Sequence, residues 1–301
     1  MRVRCVEKNI STVIGDLDTM STPKVVCVLN MKGGVGKTTL AVNVAYASAY
    51  YRHKRMLLVD VDPQFNATQY LMKQKDYISY IEDESNLTVL DVYRPRTERA
   101  PSVVVSGGQK KKTPKLDLTN ITVTIFQNKG RLDIIPSTLQ LMELEISTRG
   151  TERRLKNFID QVKNAYDLVL IDCPPTLSIF TLSAYLASDA VLVPIKPDWL
   201  STIGLPLLEK VMEQYEEDHG HKITQLGIIF TMVDIRTTLM KDRMEEISKT
   251  RRTFKNYLRQ SIRVAEAIGS NQPLFLYERS RTYGEEIKNI TNELWNLLEA
   301  T

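Results

Sequence analysis

The sequence predicts an α/β protein: a doubly wound, mostly parallel sheet flanked by helices. Three observations lead to this prediction. Continuous apolar runs recur along the chain, which is typical of strands buried on both faces of a sheet. Helix-forming segments separate these runs, and a glycine-rich turn follows the first of them. Buried strands that alternate with helices form parallel sheets covered on both sides.

The first half of the chain predicts three buried elements and a hairpin. Lys24–Asn30 is an apolar strand, and the alanine-rich segment Lys37–Tyr51 is a helix. Met56–Asp60 is a second buried strand that ends in an acid. Apolar residues alternate with threonines over residues 121–125, and Leu132–Ile135 follows an Asn-Lys-Gly turn. This arrangement predicts an antiparallel hairpin.

The second half continues the alternation to the C-terminus. The predicted strands are Leu168–Asp172, Ala190–Ile195 and Leu226–Thr231. The predicted helices are Thr151–Tyr166, Leu177–Ala187, Ile203–Glu217 and Glu285–Glu299.

Composition places the chain among ordinary globular proteins. It has 301 residues, of which 43% are hydrophobic and 25% are charged. No run of about 18 apolar residues is present, so the sequence predicts no membrane-spanning segment. The N-terminus has no apolar core of a secretory signal, and the three cysteines lie far apart. We therefore expect a cytoplasmic protein with no disulfide framework and no zinc or iron–sulfur centre.

The chain is predicted to hold one domain with two unusual segments. Residues 1–22 are polar and predict a flexible extension, with Met20 as an alternative start. Residues 23–301 form the domain, interrupted by a low-complexity basic insertion at about 94–117. Arg94–Lys115 holds seven basic residues and one acidic residue, and Arg236–Arg263 holds nine and three. Such segregation indicates a surface that meets a polyanion, although a merely solvated basic face has the same composition.

The strongest motif lies between the first strand and the first helix. Glycines let the main chain curl around a phosphate, so that its N–H groups point inward. Lys37 is then expected to contact the β- and γ-phosphates, and the Thr38 hydroxyl to bind Mg²⁺. The usual first glycine of such a loop is replaced by Met31, and a second lysine, Lys32, follows it.

This box, Lys-Gly-Gly-Val-Gly-Lys-Thr-Thr, resembles the deviant Walker A motif of the ParA/MinD class of P-loop ATPases. The resemblance implies that Lys32 reaches the phosphates of a partner subunit, so that ATP drives dimerisation. It also implies the following nucleotide-binding residues: Lys32, Gly33, Gly34, Val35, Gly36, Lys37, Thr38 and Thr39.

Two strand-terminal acids extend the resemblance. Asp-Val-Asp-Pro-Gln at residues 60–64, followed by Asn-Ala-Thr, resembles the first switch of the family. The resemblance makes Asp62 the residue that orients the attacking water, beside Lys32 and Lys37 as catalytic lysines. Ile-Asp-Cys-Pro-Pro resembles the Walker B segment, in which Asp172 holds Mg²⁺ through water.

The C-terminal third resembles the ParA/Soj members in particular. Phe230–Thr237 is similar to the segment that ends near the adenine, which implicates Met232. Ser261–Ser270 is similar to the segment that closes the pocket, with Ile268 where the family has proline. Arg236 and Arg263 match positions that bind DNA. Four neighbouring cations complete the expected DNA surface: Lys241, Arg252, Lys255 and Arg259.

The resemblance implies a slow, Mg²⁺-dependent ATPase that dimerises on ATP and binds double-stranded DNA without sequence preference. A ParB-like protein, or another activator, is the implied partner, and the nucleoid is the implied location of the ATP-bound form. The cargo stays open: plasmid, chromosome or a protein assembly.

Other functions remain as alternatives. A MinD-like cycle needs a C-terminal amphipathic membrane helix, whereas the last twelve residues contain two acids and no basic residue. An iron-protein reductase needs cluster cysteines, and a metabolic kinase or synthetase needs an acceptor pocket. A non-catalytic scaffold would bind nucleotide without releasing phosphate.

Overall fold

A computed structural model describes residues 25–94, 116–146, 150–277 and 281–300. The predicted extension and most of the basic insertion lie outside the described residues. Seven strands form one sheet in the order β3-β4-β2-β5-β1-β6-β7. Their bounds are β1 Val25–Val28, β2 Arg55–Asp60, β3 Val123–Gln127, β4 Arg131–Ile135, β5 Leu168–Asp172, β6 Ala190–Ile195 and β7 Thr224–Phe230.

Eleven α-helices of the described residues accompany the sheet, with short 3-10 helices near residues 139–146, 151–153 and 163–165. Their bounds are α1 Lys37–Arg52, α2 Asn66–Leu71, α3 Gln74–Glu82, α4 Val89–Tyr93, α5 Leu118–Ile121, α6 Arg154–Val162, α7 Ile179–Ala187, α8 Trp199–His219, α9 Thr238–Thr250, α10 Ile262–Gly269 and α11 Arg281–Ala300.

The doubly wound prediction is confirmed. All strand pairs are parallel except β3–β4, which is the predicted antiparallel hairpin. Side chains alternate along each strand between two cores, because successive residues point to opposite faces. One core contains residues of α1, α2 and α11, and the other contains residues of α4, α6, α7 and α8.

Gly130 ties the hairpin to α1. A β-carbon at this position would lie 2.2 Å from the carbonyl oxygen of Ala49. Because real β-carbons do not approach backbone that closely, any side chain here would push the hairpin away from α1. The Asn-Lys-Gly turn that predicted the hairpin therefore also sets how closely it packs.

Most element bounds differ from the sequence prediction by one to four residues, and α8 is an example. Helix α8 begins at Trp199, four residues before the predicted start, because the Asp198 side chain accepts a hydrogen bond from the Ser201 N–H (3.1 Å) and caps it. Helix α9 ends at Thr250, so the basic residues beyond it do not share one helical face with Lys241. The ParA/Soj resemblance also implies a strand at Phe254–Leu258. In the structure the chain there is extended and makes two isolated parallel bridges, Ile228 with Thr253 and Val233 with Arg259.

Within the described residues, no helix combines the length and apolarity that crossing a bilayer requires.

Candidate nucleotide-binding site

Three neighbouring strands bring the predicted motifs to one edge of the sheet. Val28 of β1 is aligned with Asp172 of β5, and Asp172 is aligned with Asp60 of β2. The loops that follow these strands therefore leave the sheet side by side. In parallel α/β sheets this carboxyl edge is where ligands bind.

The loop after β1 has the backbone of a phosphate cradle. Gly34 and Gly36 have φ angles of +71° and +80°, which side chains with a β-carbon rarely adopt. Gly36 is also the N-cap of α1, and no side chain caps the first N–H groups of this helix. These donors and the positive end of the helix dipole suit an anion.

Side chains from neighbouring strands fix this loop in place. The Asn30 side chain accepts a hydrogen bond from the Lys32 N–H (2.9 Å) and donates one to the Pro194 carbonyl at the end of β6 (2.7 Å). On the far side, the Thr231 hydroxyl donates to the Val35 carbonyl (2.5 Å). The cradle is thus held to β6 and β7 as well as to its own strand.

Lys37 is buried inside the loop. Its ammonium donates to the Lys32 carbonyl (3.1 Å), and only 6% of the residue is exposed. Burial lowers the pKa of Lys37, while the charges of Asp172 and Asp62 act in the opposite direction. A buried cation close to two acids is placed to neutralise further negative charge.

Lys32 takes a different direction. Its ammonium forms an ion pair with the Asp198 carboxylate (2.6 Å), at the N-terminus of α8. The side chain is about one-third exposed, so it lies on the surface of the site rather than within its own loop. The two lysines of the motif therefore face different surroundings.

Asp172 is a buried carboxylate with unused acceptors. The residue is fully buried, and neither carboxylate oxygen accepts a hydrogen bond of standard geometry from the described residues. Burial raises its pKa well above the usual range, and the charge of Asp60 adds to this rise. The nearby Thr38 hydroxyl lowers the pKa of Asp172, although its geometry does not meet the standard for a hydrogen bond. Two orphaned anionic oxygens beside a threonine hydroxyl fit a hydrated divalent cation.

Asp60 and Asp62 lie next to Asp172 and share its raised affinity for protons. Burial raises the pKa of Asp60 to about 7, although Thr68 donates to it from both its N–H (2.9 Å) and its hydroxyl (2.7 Å). Burial also raises the pKa of Asp62, against the hydrogen bond from the Gln64 N–H (2.9 Å) and the charge of Lys37. Burial therefore favours the protonated form of these acids, and a bound cation would favour the ionised form.

The two residues predicted near the adenine lie in different surroundings. Met232 follows β7 and has a φ of +53°. Ile268 lies on α10 and lines a groove of about 610 Å³ together with residues of the α2–α3 region, among them Phe65 and Tyr77. Their contact with a nucleotide stays a prediction.

The predicted DNA-binding residues divide into two groups. Three form ion pairs: Arg236 with Asp234, Arg259 with Glu286 and Arg263 with Glu266. Among the described residues, the other three make no ion pair: Lys241, Arg252 and Lys255. Segment 252–260 runs along β7, and its backbone hydrogen bonds to Ile228, Phe230 and Val233 cover that edge of the sheet.

Sequence reasoning missed several residues that shape this site: Asn30, Asp60, Thr68, Ser137, Asp198 and Thr231. Asp60 carried a signal as the first acid of the switch motif. Thr68 lies in the same motif, eight residues from its partner Asp60, and Asn30 is two residues from its partner Lys32. Ser137, Asp198 and Thr231 act through partners that are distant in sequence.

A glycine cradle at the head of a helix, with acids at the ends of adjacent parallel strands, defines a P-loop nucleotide-binding protein. Comparison with known proteins refines this class. The family model described as an AAA domain matches residues 23–225. The Bacillus subtilis sporulation initiation inhibitor protein Soj is 33% identical over 269 residues, which cover 88% of this chain and 94% of Soj. The chain belongs to the ParA/Soj family of P-loop ATPases.

Two further proteins are similar to this chain. The chromosome partitioning protein ParA of Myxococcus xanthus is 29% identical over 88% of this chain and 85% of its own length. A plasmid partition protein of Borrelia burgdorferi, crystallised with AMPPNP, has the same fold: the TM-score is 0.70 at 21% identity, over 91% of this chain and 99% of that one.

Proposed function

We propose that this protein is an ATP-switched dimer that holds double-stranded DNA without sequence preference and releases it after hydrolysis stimulated by a ParB-like partner. Its output is the segregation or positioning of plasmid or chromosomal DNA. The observation that carries the proposal is the divergence of the two motif lysines. Lys37 is buried in its own phosphate cradle, whereas Lys32 lies outside it, against α8.

Hydrolysis requires positioning and charge rather than a covalent nucleophile. In this proposal the backbone N–H groups of the cradle and Lys37 bind the triphosphate. Asp62 orients the attacking water from the adjacent strand end. In this proposal the reaction is slow until the partner stimulates it.

Mg²⁺ would be held by the Thr38 hydroxyl and, through water, by Asp172. Both oxygens of Asp172 lack standard hydrogen bonds from the described residues, which supports this assignment. The cation would neutralise charge on the β- and γ-phosphates. Asp172 also becomes easier to ionise when a cation is near, since burial alone favours its protonated form.

The proposed dimer face contains Lys32, Asp198 and the first turns of α8. Four large apolar side chains follow Asp198 on this helix and are more than half exposed: Trp199, Leu200, Ile203 and Leu207. A contiguous apolar surface of this kind is uncommon on a monomer and typical of an interaction site. Lys32 would leave Asp198 to contact the phosphates in the partner subunit.

The proposed DNA surface is the edge near β7 with its six basic residues. Contacts of lysine and arginine with phosphates are independent of sequence and weaken as salt rises. In this proposal the three ion-paired arginines exchange their carboxylate partners for phosphates, and the three cations without ion pairs bind directly. The basic insertion at about 94–117 is a second candidate contact from its composition alone.

The test is DNA retention by the purified protein with ATP, with ADP and without nucleotide, at 50 and 200 mM salt. We expect retention only with ATP, and a large loss at the higher salt. Arg263→Glu is expected to abolish retention while ATP-dependent dimerisation persists. Lys129→Glu is the matched control, because Lys129 is an exposed lysine in the β3–β4 turn, far from β7 along the sheet.

Each result has a clear meaning. Retention that is equal with ATP and ADP contradicts the switch. Equal losses in Arg263→Glu and Lys129→Glu contradict the location of the DNA surface. ATP-dependent dimerisation without DNA binding would support the alternative, a ParA-type ATPase that positions a protein or membrane-associated cargo.

A further inference from the structure

Four buried residues form a closed ring of hydrogen bonds that includes Asp62. We call it the switch ring: Asp60, Asp62, Thr68 and Ser137. The Asp62 N–H donates to one Asp60 oxygen (3.1 Å), and the Thr68 hydroxyl donates to the other (2.7 Å). The Ser137 N–H donates to that same Thr68 hydroxyl (2.9 Å). The Ser137 hydroxyl closes the ring by donating to the Asp62 carbonyl (2.8 Å).

The switch ring is shielded from water. Asp60, Thr68 and Ser137 are fully buried, and only 4% of Asp62 is exposed. Each hydroxyl in the ring has a specific use, since Thr68 both donates and accepts while Ser137 donates to a backbone carbonyl. Buried networks of this kind are rigid, because losing one member leaves the others without partners.

The ring attaches the Asp62 backbone to two different strands. Asp60 is the last residue of β2, and Ser137 follows β4, which is the hydrogen-bonded neighbour of β2 on the side away from β5. The N–H of Asp62 is thus hydrogen-bonded to the end of one strand, and its carbonyl to the residue Ser137 that follows another strand. The side chain of Asp62 is left to accept a hydrogen bond from Gln64 and to face Lys37.

We propose that Ser137 is a positioning residue for ATP hydrolysis: its hydroxyl holds the Asp62 backbone so that the carboxylate meets the attacking water in the productive orientation. This inference rests on the role of Asp62 in the proposed function. Ser137 touches neither the phosphate cradle nor Lys37 in the contacts of the described residues. It acts through Asp62, which is the signature of a positioning role.

The Ser137 hydroxyl affects orientation more than folding. The Asp62 carbonyl also accepts a hydrogen bond from the Phe65 N–H (2.8 Å), so the loop keeps its turn when the hydroxyl is absent. What is lost is the direct hydrogen bond between the Asp62 carbonyl and the residue that follows β4. Displacing a reacting group by about 1 Å can lower a rate by roughly 100-fold, so a partial loosening is expected to lower it by about tenfold.

An outer contact connects the ring to the protein surface. The Tyr77 hydroxyl donates to the Ser137 carbonyl (2.9 Å), and the Tyr77 ring stacks on Phe65 at 5.5 Å between centroids. Phe65 has a φ of +43°, an uncommon conformation for a residue with a large side chain. Ser137 is therefore supported from the side of α3, which fixes its own position.

The experiment compares Ser137→Ala with Ser188→Ala in the full chain. Ser188 is the matched control, because its hydroxyl is also buried and donates to a backbone carbonyl, that of Ala184 (2.7 Å), at the end of α7. We expect kcat of Ser137→Ala to fall about tenfold while KM and ATP affinity change less than about twofold. Ser188→Ala is expected to keep the kcat of the unaltered protein with a comparable loss of thermal stability.

Thr68 provides a second pair of variants if Ser137→Ala does not fold. Thr68→Ser keeps the ring hydroxyl and is expected to keep kcat, whereas the isosteric Thr68→Val removes the hydroxyl and is expected to lower kcat. The losses in Thr68→Val and Ser137→Ala are expected to be less than additive in free energy, because they break the same ring.

The outcomes separate the two proposals. If Asp62→Ala abolishes phosphate release but Ser137→Ala and Thr68→Val retain full kcat, the positioning role is wrong and the proposed function stands. A parallel loss of ATP affinity and kcat in Ser137→Ala also overturns it, since that result indicates a general structural defect. Absence of ATP hydrolysis by the unaltered protein overturns both proposals.

Discussion

The nucleotide site and the basic edge near β7 were both predicted from the sequence, but they differ in what their residues are doing. In the nucleotide site the predicted groups converge: the glycine loop, Lys37 and two acids follow adjacent strands. At the edge, three of the six predicted cations already have carboxylate partners. A glycine motif predicts the backbone geometry of its loop. A count of basic residues does not predict which of them already form ion pairs.

The electrostatics of the two regions differ in the same way. The acids at the strand ends are buried, and burial raises the pKa values of Asp60, Asp62 and Asp172. The three paired arginines at the edge are at least partly exposed, and the hydrogen bond that Arg259 donates to the Glu286 carboxylate raises the pKa of Arg259. In the proposed function, the first region binds cations and the second exchanges its carboxylate partners for phosphates.

The largest expected effect comes from Lys37→Ala. This change removes the buried ammonium from the phosphate cradle, and we expect ATP affinity to fall by more than about 100-fold. Isothermal titration with a non-hydrolysable ATP analogue measures it. Lys129→Ala is the control and is expected to bind as the unaltered protein does. Retained affinity in Lys37→Ala would show that the backbone N–H groups alone hold the phosphates.

A second prediction concerns Asp60 and pH. Its pKa is about 7 in the folded protein and near 3.9 when unfolded, so the folded state favours the protonated form. A raised acid stabilises the fold at low pH, and this contribution is lost as pH rises through 7. We expect the stability of the unaltered protein, relative to Asp60→Asn, to fall by at least about 1 kcal/mol between pH 5 and 8.5.

Urea denaturation of both proteins in metal-free buffer measures this difference. A relative stability that rises with pH would contradict the burial of an ionisable acid at the end of β2. Adding Mg²⁺ and ATP is expected to flatten the dependence, because positive charge beside the acids lowers their pKa values.

The smallest expected effects sharpen the contrast within the basic edge. Lys255→Ala removes a cation without an ion pair among the described residues, and Arg259→Ala removes the partner of Glu286. We expect Lys255→Ala to reduce the slope of the logarithm of the DNA-binding constant against the logarithm of salt concentration by about one. The stability of the folded protein is expected to change little. Arg259→Ala is expected to lower stability by about 0.5–1 kcal/mol as well. Thermal melts and DNA binding at several salt concentrations distinguish the two variants. Identical stability and salt dependence in both would contradict the difference between paired and unpaired cations.

Sequence patterns predicted the strands of the core closely, because buried parallel strands are continuous apolar runs. Leu168–Asp172 and Ala190–Ile195 agree with the structure in every residue. The phosphate cradle was also predicted from the sequence. Its backbone requires positive φ at Gly34 and Gly36, so the glycines recur at a fixed spacing in the motif. Helices α2 to α5 were not predicted, because they are short and their ends depend on tertiary contacts.

The partners of the site residues were beyond sequence reasoning for a similar reason. Ser137 supports Asp62 from the end of another strand, and Asp198 holds Lys32 from the start of α8. Each contact joins segments that are far apart in the chain, so only the strand order brings them together. The DNA-binding role of the basic residues that follow α9, which ends at Thr250, stays a prediction.

The position of β5 in the sheet has a consequence for how the protein is made. Strands β1 and β2 are consecutive in the chain, yet β5 lies between them and pairs with both. A nascent chain that has released β1, α1 and β2 therefore carries the glycine loop and Asp62 without the strand that joins them. Pairing across such long sequence separations is slow, because loop closure precedes any compensating contact. During synthesis, we therefore expect the glycine loop and Asp62 to come together only after β5 has left the ribosome.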